Sequence, residues 1–112
     1  MDSANIYTDL LQELNAILLK MTSPEWDELS QRGNVDDRRR ALRQLLDIQQ
    51  MRLALGNAVL LSLAEKLKAN EKDLEEGRRK VRKALDSLEE FTKVLDTIGE
   101  FVSIAARIAP LL

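Results

Sequence analysis

The sequence contains no cysteine and no histidine. Without thiols there is no disulfide framework. Without thiolate or imidazole ligands, the common zinc sites and the Cys–His and Ser–His nucleophile pairs are excluded. A carboxylate-bridged di-iron site in a helical bundle wants Glu-x-x-His pairs, and these are excluded on the same ground. Glycine and proline are also scarce, at four and two in 112 residues. The glycines stand apart at positions 33, 56, 77 and 99, so no glycine-rich phosphate loop can form. Aromatic residues make up 4%, too few to build a stacking surface for single-stranded nucleic acid. The net charge of −2 argues against whole-chain attraction to phosphate or anionic lipid. The opening residues, Met1-Asp2-Ser3-Ala4-Asn5, do not read as a signal peptide, and a cytoplasmic location is expected.

What the chain does have is 45% apolar and 32% charged residues, a globular balance. Leucine, alanine, lysine, arginine, glutamate and glutamine dominate. These residues lose least on entering a helix, so an all-α fold is expected, in one domain over residues 1–112.

A first helix is predicted over 3–21, with Ser3 as its cap. Ile6, Leu10, Leu14, Ile17, Leu18 and Met21 form its apolar stripe, while Asp9, Gln12, Glu13 and Lys20 fall on the other side. Ser23 followed by Pro24 is a stop and a new start. It opens a short connecting helix over 24–32, anchored by Trp26 and Leu29 and ended by Gly33. Asn34 is the next cap, with Asp36 and Asp37 in a first turn where the helix dipole favours carboxylates.

From Val35 to about Ala69 no breaker intervenes. Leu46, Leu53, Leu60 and Leu67 lie seven apart, with Leu42, Gln49, Gly56 and Leu63 in the intervening core positions. A second line, Leu45, Ile48, Leu55 and Val59, runs beside the first, so this helix is expected to be covered on more than one side. Arg52 and Glu65 bracket only about a dozen residues, short of the roughly 20 that a membrane span needs. A turn is placed at Asn70. The last helix, 73–109, carries two heptad lines, Leu74, Val81, Leu88, Leu95, Val102 and Ala109 beside Ala84, Phe91, Ile98, Ala105 and Leu112, and Pro110 ends it. The predicted architecture is a helical bundle built on a long antiparallel αα-hairpin, 35–69 against 73–109, with the first helix packed alongside.

Three constellations bear on function. Leucines at sevenfold spacing behind Arg38-Arg39-Arg40 and Arg43 suggest a basic zipper, but the basic stretch is short and follows two aspartates. The run Arg78-Arg79-Lys80-Val81-Arg82-Lys83 could meet phosphates, yet it follows Glu71, Asp73, Glu75 and Glu76 at ion-pair spacing and reads better as a solvated shoulder. The paired carboxylates at 36/37, 75/76 and 89/90 are adjacent on helices, about 100° apart, and cannot converge on one substrate. No enzyme activity, cofactor, metal or small-molecule substrate is therefore expected, and nucleic acid is disfavoured.

The informative segment is 91–112. Its polar stripe is narrow, leaving more apolar surface than one partner helix covers. The expected function is a non-enzymatic protein–protein interaction module, self-associating (a dimer first) or clasping another helical protein. The expected contact residues are the hydrophobic side chains left over after intrachain pairing: Leu55, Val59, Val94, Phe101, Ile104 and Ile108. The alternative is a membrane-surface protein that inserts its amphipathic C-terminal helix, 91–112.

Overall fold

Side-chain caps set three of the six helix starts. In the computed structural model, residues 2–109 are described and form six α-helices with no strand among them. Helix α1 spans Ser3–Met21; its cap is Asp2, one residue before the predicted Ser3, whose carboxylate accepts from the Ala4 N–H at 2.9 Å. Helix α2 spans Pro24–Gln31. Ser23 caps it as expected, its hydroxyl accepting from the Trp26 N–H at 3.2 Å with Pro24 in the first turn. Gly33 follows α2 with no positive φ, unlike the left-handed glycine that commonly ends a helix. Its reason for being glycine is a close approach: a Cβ there would lie 2.8 Å from Phe91 Cδ2. Helix α3 spans Val35–Asn57, capped by Asn34, which accepts from the Asp37 N–H at 2.7 Å.

The predicted helix over 35–69 is broken. Ala58 and Val59 are extended, and α4 spans Leu60–Ala69. Gly56-Asn57 weakens the helix locally. The freed Leu55 carbonyl is satisfied by the Tyr7 hydroxyl of α1, at 2.6 Å. Asn70 makes the expected turn, its side-chain amide donating to the Lys66 carbonyl at 2.8 Å, and α5 spans Glu71–Ser87.

The predicted helix over 73–109 is broken as well. Leu88 adopts a left-handed conformation (φ 44°, ψ 40°), and α6 spans Phe91–Ala106. Ile108 and Ala109 lie beyond it in a turn. A left-handed leucine costs about 1–2 kcal/mol, which tertiary packing must offset. It does so by turning α6 back along α5, so that Phe91 meets Trp26 edge to face at 5.4 Å. The expected roles of Pro110 and Leu112 lie outside the described residues.

The all-α bundle with α1 packed alongside is what forms, but the two breaks change which helices pair. Helices α5 and α6 run antiparallel: Arg107 reaches Asp73 at 2.9 Å, and a Cβ at the buried Gly77 would lie 2.9 Å from Phe101. Helices α3 and α6 run in the same direction. Thr92 donates to Asp37 at 2.5 Å, Arg40 pairs with Asp96 at 2.7 Å, and Gln44 donates to the Leu95 carbonyl at 2.9 Å. Helix α1 packs against α3, α4 and α5. The core at its centre includes Leu14, Ile17, Ile48, Leu55, Leu67, Val81, Leu95, Ile98 and Phe101, all fully buried. Each such side chain stabilises the fold by about 1.5–3 kcal/mol relative to exposure.

Candidate interaction surface

Six residues were expected to remain uncovered. Four are in the core: Leu55, Phe101 and Ile108 have no exposed surface and Val94 almost none. Ile104 is half-buried against the core, and only Val59, at the bend between α3 and α4, is freely exposed. The broad face of the last helix is therefore not surplus. The expectation assumed a single long partner helix, whereas the fold-back at Leu88 places α5 on one side of α6 and α3 on another, and Trp26 of α2 covers Phe91.

The uncovered apolar surface lies on α3. This helix has two apolar lines. Ala41, Ile48, Met51 and Leu55, with the buried Gln44, face the bundle. Val35, Leu42, Leu46 and Leu53 face solvent, at 53%, 63%, 58% and 65% exposure. At 100° per residue the outer four fall within an arc of about 40°, centred about 160° from the inner line. Leu42, Leu46 and Leu53 are the zipper leucines that the spacing assigned to core positions. The heptad is real, but α6 and α1 cover the neighbouring line and leave this one bare. Leu60, next in the sevenfold series, is half-buried beyond the bend, and Leu67 is fully buried.

Arg39, Gln49 and Gly56 occupy the remaining positions of the outer row, all exposed. Nothing lies within 4 Å of where a Gly56 Cβ would be. The row therefore has the 3–4 spacing of a two-helix seam over Val35–Gly56, a length of about 33 Å. Leu19 on α1 and Leu61 on α4 are also exposed, but neither belongs to a row of this kind.

The basic run on α5 is engaged within the chain. Glu13 of α1, predicted to face solvent, is buried at 3% exposure; Arg78 Nε and Arg82 Nη2 each lie 3.6 Å from its carboxylate. Asp9 meets Arg78 Nη1 at 3.3 Å. Two arginines of the run thus neutralise a carboxylate that the fold has taken out of water. The wide groove beside them, about 880 Å³, is lined by both signs of charge, including Asp9, Glu75 and Asp86 with Arg79, Arg82 and Lys83. That mixture selects neither phosphate nor a cation.

Glu25, at the start of α2, has its carboxyl held below the ordinary carboxylate range by a hydrogen bond from its own backbone N–H and by the Ser23 hydroxyl, a capping effect with no catalytic content. Among the described residues there is no group of three or more acidic side chains placed to hold a metal ion, and no helix is long and apolar enough to cross a membrane. Comparison of the chain with protein-family models, curated proteins and solved structures finds no match.

Proposed function

We propose that this chain is a non-enzymatic helix-pairing module of the cytoplasm, which presents the outer face of α3 to a helix of another molecule. One observation carries the reading. In a bundle whose other helices turn their apolar lines inward, α3 keeps a second line in water, at the spacing that pairs helices rather than scattered singly. Leaving leucines exposed in a row gains nothing for the fold of the isolated chain.

The burial of α6 supports pairing over membrane insertion. Phe91, Val94, Leu95, Ile98 and Phe101 belong to the core, so insertion of 91–112 would require them to leave it. The outer arc of α3, about 40° wide, is also narrower than the broad apolar face of helices that lie in a membrane surface.

Leu46→Gln with Leu53→Gln tests the proposal. Both positions are exposed and glutamine is a good helix former, so stability should move by no more than about 0.5 kcal/mol per site. Light scattering is run on the chain alone and mixed with three-heptad peptides carrying leucine at the a and d positions. The wild-type chain should associate, with itself or with a peptide, and the double variant should not, at unchanged helix content. Association that survives the substitutions, or that neither protein shows, refutes the reading.

A further inference from the structure

We infer that the helix received by α3 is an acidic amphipathic helix from a different protein. This inference rests on the helix-pairing reading and adds the partner's chemistry, which the charges around the row supply. Arg39 sits in the row, and Arg38 and Arg43 border it on opposite sides, all three within about 80° of its centre. No carboxylate lies within that arc; at about 100° Arg52 stands on one side and Asp36 on the other, with Asp47 at about 120°. This segregation occurs in a chain whose net charge is −2, so it does not follow from composition.

The arginines are also available. Arg38, Arg39 and Arg43 are exposed and have no ion pair or hydrogen-bond partner among the described residues. Arg52 donates to the neutral amide of Asn15 at 2.8 Å, which leaves its charge uncompensated. Arg40, which points the other way around the helix, is already paired with Asp96. A seam of leucines with three unneutralised guanidinium groups in or beside it is complementary to a helix with leucine-type residues on its seam and glutamate or aspartate on its flanks.

A second copy offers the opposite. Pairing α3 with itself supplies no carboxylate to Arg38, Arg39 or Arg43. Parallel packing places Arg38, Arg39 and Arg43 beside their own equivalents; antiparallel packing about Leu42 and Leu46 sets Arg38 and Arg39 opposite the neutral Gln50 and Gln49, keeps Arg43 near its equivalent, and brings a carboxylate, Asp36, only to Arg52. Like charges juxtaposed across an interface discriminate strongly against it. Two seam positions refine the partner. Gln49 favours a polar residue opposite it, which would set register, and the open space over Gly56 accepts a large apolar side chain.

The test uses the full chain and two three-heptad peptides with leucine at a and d, one with glutamate and one with lysine at e and g. Binding is followed by fluorescence anisotropy at low ionic strength. The glutamate peptide should bind at least roughly tenfold more tightly than the lysine peptide, as expected from several exposed pairs each contributing a fraction of the free energy of a tenfold change. Arg38→Glu, Arg39→Glu and Arg43→Glu together should reverse that order, and Leu46→Gln with Leu53→Gln should abolish binding of the glutamate peptide. Equal binding of both peptides would overturn the acidic partner and leave helix pairing standing. Doubling of the chain's own mass, dependent on Leu46 and Leu53, would do the same. Binding to vesicles of mixed phosphatidylcholine and phosphatidylserine through these leucines, or no binding and no self-association at all, would overturn both.

Discussion

Replacing Gly77 by alanine tests the α5–α6 contact, because helix propensity and packing make opposite forecasts. Alanine is better than glycine inside a helix by about 0.5–1 kcal/mol. At Gly77, however, the new Cβ would lie 2.9 Å from Phe101 Cδ1 and 3.5 Å from Ile104 Cδ1. Phe101 has no exposed surface, and its ring edge cannot swing aside as the tip of a flexible side chain could. The two helices must separate by several tenths of an ångström, and overpacking of this kind costs about 1–3 kcal/mol. The net expectation for Gly77→Ala is a loss of about 0.5–2 kcal/mol. Gly56 supplies the control. It is exposed near the end of α3, with no atom within 4 Å of its would-be Cβ, so Gly56→Ala should gain about 0.5 kcal/mol from propensity alone. Urea denaturation should show the two midpoints moving in opposite directions at equal slope. In a Phe101→Leu background the penalty at position 77 should shrink, since a smaller side chain then faces the new methyl. If Gly77→Ala stabilises as much as Gly56→Ala does, the close approach of α5 and α6 is refuted.

Three further outcomes follow from burial, charge and capping. Phe101→Glu with Ile108→Glu places two carboxylates where both wild-type side chains are wholly buried, so the variant should lose its cooperative thermal transition; a folded variant of lower mass would restore the view that this face is an interface. Arg78→Ala removes one of two cations beside the buried Glu13 and should cost about 2 kcal/mol, discounted from the 3–5 of a fully buried pair because Arg82 remains; a change under 0.5 kcal/mol in denaturant would contradict that role. Ser23→Ala should cost about 1 kcal/mol and move the Glu25 carboxyl up toward its ordinary value. In the wild type, the depressed Glu25 contribution is present above the unfolded pKa and fades as pH falls through the folded one. A carbon-detected NMR titration in which Glu25 behaves identically in both proteins would rule the hydroxyl out as a cause.

Breaker residues made the first half of the fold legible. Ser23-Pro24 and Asn34 each mark a helix start by a local hydrogen bond that needs no tertiary partner, and Asn70 marks a turn by one of its own. The bend at Ala58-Val59 has only Gly56-Asn57 before it, a breaker that the continuing leucine periodicity masks, and Leu88 has no marker. Nothing about a leucine in an unbroken heptad line signals a left-handed conformation; the cause is the gain from laying α6 against α5 and α3, which only the assembled chain provides.

Helix pairing itself followed from that hidden bend, and so did the candidate surface. Periodicity identifies two apolar lines on α3 but cannot say which one is covered. Had α6 continued straight from α5, the wide face of 91–109 would have been the bare one, as expected from its narrow polar stripe. Glu13 was misplaced for a related reason. On the helix it borders the apolar stripe, with Leu10, Ala16 and Ile17 among its neighbours three and four residues away, and its charge is neutralised by Arg78 and Arg82 arriving from 65 and more residues away.

A helix received on the outer face of α3 would perturb that face residue by residue. NMR titration tests it directly, with the isotopically labelled chain and the unlabelled glutamate-flanked heptad peptide. Amide and leucine methyl shifts should change along Val35–Gly56, most strongly at Leu42, Leu46 and Leu53, with α5 and the interior of α6 undisturbed. Changes centred instead on Arg78–Lys83 or on α6, or none at saturating peptide, would refute helix pairing at α3.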